Sequence, residues 1–357
     1  MTEIQTFVVS DDRSIYECHP DLAMGTDGNR LIAVFTERTH HYFNREFSRI
    51  VCCVSDDRGR TWSEKRPLTE SSKGLGFYFD APRISNLGDG RLCILSSRIP
   101  MDGGEEAAER YPLQYFFSTD NGESWTERAD LPIYGIAPDQ VLRLNNGRII
   151  VSAHHFVEGF LDQYLIYSDD NGATWSDMIH VAGEKGYHYC EVSILPLSDG
   201  KTLTAFLREN SWTGEPCKRA VSYDNGETWS PLPDFPLPGC HRPVAQKLIS
   251  GKILLLWSAC LPGMGRHLTF GTLFDEDQAA AESPQGLRTF QLDCDRSPYP
   301  DTGYTGFAQY PDGEIYAVNY IADNACDCAQ IRGYSFRQDA ILRSFSQRVY
   351  TKEMVGE

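Results

Sequence analysis

The pattern Ser-x-Asp-x-Gly-x-x-Trp occurs four times in this chain, at Ser55–Trp62, Ser118–Trp125, Ser168–Trp175 and Ser222–Trp229. An eight-residue pattern does not recur four times by chance. Each copy reads as a tight hairpin turn. The aspartate accepts bonds from backbone N–H groups just ahead of it. The glycine takes the positive φ that the turn demands. The tryptophan folds back and packs its ring between neighbouring sheets.

A second repeat is interleaved with the first. Six apolar strands run into a short turn and out along another strand. The turn glycines are Gly28, Gly90, Gly147, Gly200, Gly251 and Gly313, spaced 62, 57, 53, 51 and 62 residues apart. Several strands in a period of this length indicate propeller blades. Six turns predict an all-β, six-bladed β-propeller spanning residues 1–357 as a single domain. A repeat architecture also explains how 357 residues avoid splitting into two domains. In blades five and six the Ser-x-Asp pattern has decayed. The irregular stretch 278–298 reads as a long excursion between those two blades.

Charge and cysteines narrow the partners. The net charge is −17, which repels phosphate backbones, so no nucleic-acid partner is expected. No apolar run is long enough to span a bilayer, so no membrane partner is expected either. The N-terminus lacks a basic start followed by an apolar run. The eleven cysteines are odd in number and scattered, which suits reduced thiols and a cytoplasmic setting. Cys326 and Cys328 form a Cys-x-Cys pair with no second pair at zinc-site spacing, so neither metal nor cofactor is expected.

The blade period also locates a rim. Residues nine before each turn glycine are His19, Ala81, Pro138, Glu191, Arg242 and Tyr304. Residues seven or eight after are Thr36, Arg98, His154 or His155, Arg208, Ser258 and Tyr320. Arg83 lies two residues beyond Ala81 and so shares its face. A ring holding histidines, a glutamate, arginines and tyrosines is a functional-site candidate.

With the repeated boxes and this rim in view, the chain resembles the sialidase superfamily. The resemblance covers essentially the whole chain; the boxes are specific for architecture and weak for chemistry. It implies a central sugar site with a tyrosine nucleophile, a glutamate that takes its proton, an arginine clamp for the substrate carboxylate and an acid on a loop. The segment from Tyr304 to Gly313 looks like the one carrying the nucleophile, and the segment from Glu191 to Gly200 like the one carrying the glutamate. Arg208 falls one residue from the second clamp arginine, and Arg266 is a looser match to the third.

Three features depart from the family. Its blade-one Arg-Ile-Pro triplet is Cys18-His19-Pro20 here. Its second glutamate falls at Tyr320. Its acid loop becomes the stretch from Thr39 to Phe47, where His40, His41 or Glu46 would donate the proton. The expected catalytic set is therefore Tyr304, Glu191, His41 and Glu46. The expected substrate-binding set is Arg208, Arg266, Arg83, Arg98, Arg242, His19 and His155. The expected activity is exo-glycoside hydrolysis of a terminal acidic sugar (a sialic acid, a keto-sugar acid or a uronate), with a glycoside or oligosaccharide as partner. Two alternatives remain open. One is a uronate-directed lyase using His154, His155, His188, Tyr187 and Tyr189. The other is a non-catalytic sugar-binding propeller.

Overall fold

The computed structural model describes residues 4–40, 47–137, 139–323 and 328–346. These residues form six four-stranded antiparallel sheets around a central axis, a six-bladed β-propeller. The innermost strands are Tyr16–Met24, Phe77–Asn86, Leu142–Arg143, Tyr189–Pro196, Cys240–Lys247 and Thr302–Gln309. Blades one to five are each built from consecutive strands. Blade six takes its outer strand from the other end of the chain: Gln5–Ser10 pairs with Gln330–Arg337. The stretch 278–298 is not a plain excursion. It contains Arg288–Cys294, the fourth strand of blade five.

Each Ser-x-Asp box forms the same closed turn. In the first, Gly59 N donates to Ser55 Oγ at 2.8 Å, and Thr61 N donates to Asp57 Oδ1 at 2.9 Å. The same pair of bonds recurs at Ser118/Asp120, Ser168/Asp170 and Ser222/Asp224. Each box tryptophan packs on the preceding blade. Trp125 packs against a cluster that includes Ile32 and Val34, and Trp229 against one that includes Leu144 and Ile150. Trp62 reaches Tyr316 of blade six, with ring centroids 5.9 Å apart. The boxes therefore weld blade to blade, and none of their residues lines the central cavity.

Gly59 shows how tight that weld is. Its φ is +76°, and a Cβ there would stand 2.1 Å from the Tyr316 ring. The Tyr316 hydroxyl also donates to the Gly59 carbonyl at 2.8 Å. Gly59→Ala is expected to cost about 2 kcal/mol or more, from left-handed strain and overpacking together. Chemical denaturation of the two proteins checks this.

A second recurring device aims side chains at the axis. The inner strands of blades one, two, four, five and six each break register at one place. A left-handed residue sits in each break: His19 (φ 53°), Ala81 (45°), Glu191 (43°), Arg242 (49°) and Tyr304 (53°). These are β-bulges, which re-aim a side chain at the cost of local backbone strain. Cross-blade bonds over-determine them. Asp21 Oδ2 accepts from Ile84 N at 2.9 Å, Asp139 Oδ2 from Ile194 N at 2.7 Å, and Ser193 Oγ from Ala245 N at 3.0 Å.

Candidate active site

The bulges open onto a cavity of about 250 Å3 at one end of the axis. His19, Arg38, Asp80, Arg83, His154, Glu191, Arg208, Arg266 and Tyr304 contribute its polar wall. Four arginines face two carboxylates there, so the cavity is locally positive in a chain of net charge −17.

At its centre the Tyr304 hydroxyl donates to Glu191 Oε1. Glu191 Oε2 accepts from Arg208 Nη1 at 2.6 Å, in a pair that is almost fully buried. Burial alone would push the Glu191 carboxyl up, but Arg208 and Arg242 outweigh it and hold the group well below the usual carboxylate range. Burial and then the Glu191 charge push the Tyr304 phenol well above its ordinary value. The resting pair is therefore a neutral phenol donating to a carboxylate. The Tyr304 ring has arginines near it as well: the guanidinium carbons of Arg83 and Arg242 stand 5.6 and 5.7 Å from its centroid.

The rest of the wall is held by pairs. Arg266 donates to the Tyr320 hydroxyl at 3.1 Å and to Asp301 at 3.3 Å, while Tyr320 donates to Asp301 at 2.8 Å. A carboxylate from Asp301 thus stands beside Tyr320, where the resemblance implied a glutamate. His19 Nδ1 lies 2.7 Å from Asp80 Oδ1, and Arg38 also donates to that oxygen. The His19 ring lies 4.2 Å from the Tyr304 ring, centroid to centroid.

Several expected residues lie elsewhere. Arg98 does not line the cavity; it bonds Asp130 at 2.9 Å and packs on Phe77 and Tyr111. The reason is a shorter turn. Asn86 pairs with Leu92 in blade two, one intervening residue fewer than between Pro196 and Leu203 in blade four. A one-residue slip reverses the face, so Ser97 occupies the place that Arg208 holds in blade four. His155 likewise points away and stacks on Tyr164 at 4.5 Å, leaving His154 in the wall. Arg242 is aimed inward but sits against Tyr304 rather than in the cavity wall; its Nε and Nη1 have no hydrogen-bond partner among the described residues. His41 and Glu46 lie outside the described residues. Tyr187 and Tyr189 line a separate surface groove with Lys218, and His188 packs on Phe156 and Phe160.

A family model described as a BNR repeat-like domain matches residues 82–262, just over half of the chain. The chain belongs to the BNR repeat-like family. Within it this is a divergent, sialidase-like member. A sialidase of Paraclostridium sordellii is 27% identical over 186 residues, covering 43% of this chain and 46% of the relative. A sialidase of Clostridium perfringens is 30% identical over 164 residues, covering 42% and 38%. The matched segments thus span less than half the length of these curated relatives. A crystal structure of a protein of unknown function from Dyadobacter fermentans superposes over 94% of this chain and 99% of its own, with TM-score 0.76 at 19% identity. Trypanosoma rangeli sialidase bound to the inhibitor DANA superposes over 98% of this chain and 62% of its own, with TM-score 0.69 at 15% identity. At these identities the two structures speak to the propeller alone.

Four charged, amide or aromatic residues of this BNR-family cavity escaped the sequence reading: Arg38, Asp80, Asn210 and Trp212. Two had a usable signal. Arg38 lies two residues beyond the rim position Thr36, and Asn210 two beyond Arg208, so each shares its neighbour's face. Asp80 and Trp212 acquire their meaning only from partners in other segments.

His154 supplies a pH test. Burial lowers it to about 4, against the nearby Glu191 charge. Between an unfolded value of about 6.5 and this folded value, the unfolded chain binds the extra proton, so stability falls as pH falls. Asp139 works in the opposite sense: burial raises it to about 6, so its contribution falls as pH rises towards that value. His154→Gln removes only the first effect. The variant should gain about 2 kcal/mol relative to wild type between pH 7 and pH 5. A constant difference in denaturation free energy across that range would refute the assignment.

Proposed function

We propose that the protein is an exo-acting glycoside hydrolase that releases a terminal acidic sugar, with Tyr304 as nucleophile and Glu191 as its base. The observation that carries this reading is the Tyr304 hydroxyl donating to a carboxylate kept ionised by Arg208. A phenol suits an anionic substrate, because a carboxylate nucleophile would be repelled by the sugar's own charge. As the tyrosine oxygen bonds to the anomeric carbon, its proton passes to Glu191. The glycosidic bond breaks, and the departing oxygen takes a proton from an acid. His41 and Glu46 remain the proposed donors. Water then cleaves the tyrosyl bond, returning a proton to that acid, while Tyr304 recovers its own from Glu191.

The electrostatics favour an acidic sugar. Arg208, Arg266 and Arg83 face the cavity, and guanidinium groups pair with carboxylates through parallel N–H donors. The size favours exo action. A cavity of about 250 Å3 falls below the roughly 300–1,000 Å3 of pockets for drug-sized ligands, so it suits one terminal ring. The lyase reading loses support, since of its five residues only His154 lines the cavity.

A screen of aryl glycosides of sialic, uronic and neutral sugars tests the proposal. Release of the aryl alcohol from an acidic sugar supports it. An unsaturated product would instead mark elimination, and turnover of neutral sugars alone would overturn the substrate class.

A further inference from the structure

Trp212 stands at the cavity with a backbone that bulky residues avoid. Its φ is +64°. Outside the five bulges, most non-glycine residues with positive φ are Asn or Asp, which tolerate that region; an aromatic residue there is an outlier. Such strain persists only where the surroundings over-determine it, and it gathers at functional sites.

The surroundings here do fix it. Asn210 N donates to His188 O at 2.9 Å, and the Asn210 side chain accepts from Arg208. Ser211 N donates to Glu209 Oε2 at 3.0 Å. On the other side, Gly214 is pressed on blade five so closely that a Cβ would meet Pro262 at 2.8 Å. The strained residue is therefore clamped from both sides.

The indole that results is not a core side chain. It is 47% exposed, and it lines the same cavity as Tyr304. The guanidinium carbons of Arg266 and Arg208 lie 5.0 and 5.7 Å from its ring centre, and the His241 ring meets it edge-on at 5.3 Å. A rigid aromatic beside the arginines, half in water, has surface left to offer a ligand. Pyranose rings present flat patches of C–H bonds, and a flat indole collects dispersion contacts from them.

We propose that Trp212 is a binding platform for the second sugar, the one that the terminal residue leaves behind. This rests on the hydrolase reading above for which sugar is terminal, but the binding claim can be measured separately. It assigns the site a disaccharide preference: acidic ring among the arginines, neighbouring ring against the indole.

The test is calorimetric titration in a Tyr304→Phe background, so that the probes survive. The probes are sialyllactose with methyl α-sialoside, and a glucuronosyl disaccharide with methyl glucuronide. Trp212→Gly is expected to weaken the disaccharide about tenfold and the matching methyl glycoside less than about twofold, with Trp212→Phe restoring most of the loss. The melting temperature of Trp212→Gly should equal or exceed that of its parent, because glycine relieves the strained φ. Equal weakening of both ligands, or a drop in melting temperature with affinities unchanged, overturns the platform. So does failure of all four probes to bind. Binding with the expected ratio but no hydrolysis by the wild type leaves the platform standing and sinks the hydrolase.

Discussion

Tyr304→Phe is expected to lower kcat/KM on an acidic aryl glycoside by about a thousandfold or more, the scale seen when a nucleophile is removed. Ligand affinity should change little, because the ring stays in place between His19 and the arginines and only the hydroxyl goes. The fold should be nearly untouched, since among the described residues that hydroxyl bonds Glu191 alone. Kinetics together with equilibrium binding separate the outcomes. Unchanged turnover would remove Tyr304 from the chemistry. Lost binding with lost turnover would make it a structural element of the pocket.

The blade period alone reaches this tyrosine. The turn glycines recur with the blades, and counting back nine residues from each lands on the left-handed bulge in five of six blades. That count works because the inner strand has a constant length from bulge to turn. Counting forward fails in blade two, because the turn there is a residue shorter, and Arg98 ends on the wrong face. The Asp80–Arg38–His19 cluster was equally hidden. Its members come from two blades, and nothing in either segment announces the other. The Gln5–Ser10 strand completing blade six was missed for the same reason: its partner lies at the far end of the chain. Local periodicity was legible; pairings set by ring closure were not.

Glu191→Gln should have the second large effect, and on two quantities at once. Without a carboxylate the Tyr304 proton has no acceptor of matching strength, so turnover should fall by about 10²- to 10⁴-fold. The same change leaves Arg208 buried without its counter-charge. Breaking one side of a buried ion pair costs about 3–5 kcal/mol. Glutamine keeps an oxygen for one hydrogen bond, which places the expected loss at the lower end of that range. Thermal unfolding and steady-state rates, measured on the same preparation, report the two effects. A large fall in activity with unchanged stability would mean that Arg208 draws its stabilisation from elsewhere.

The pairing of Gln5–Ser10 with Gln330–Arg337 also bears on how the chain is made. Gln5 finds Ser335 across a separation of 330 residues, from the difference of their numbers. During synthesis the first strand leaves the ribosome long before its partner exists. Until then it is an open edge, able to pair with another nascent chain. Contacts this distant in sequence form late and slow the folding of the whole. The ring is thus sealed only after all six blades have been made, and the window before sealing leaves this strand edge open to aggregation.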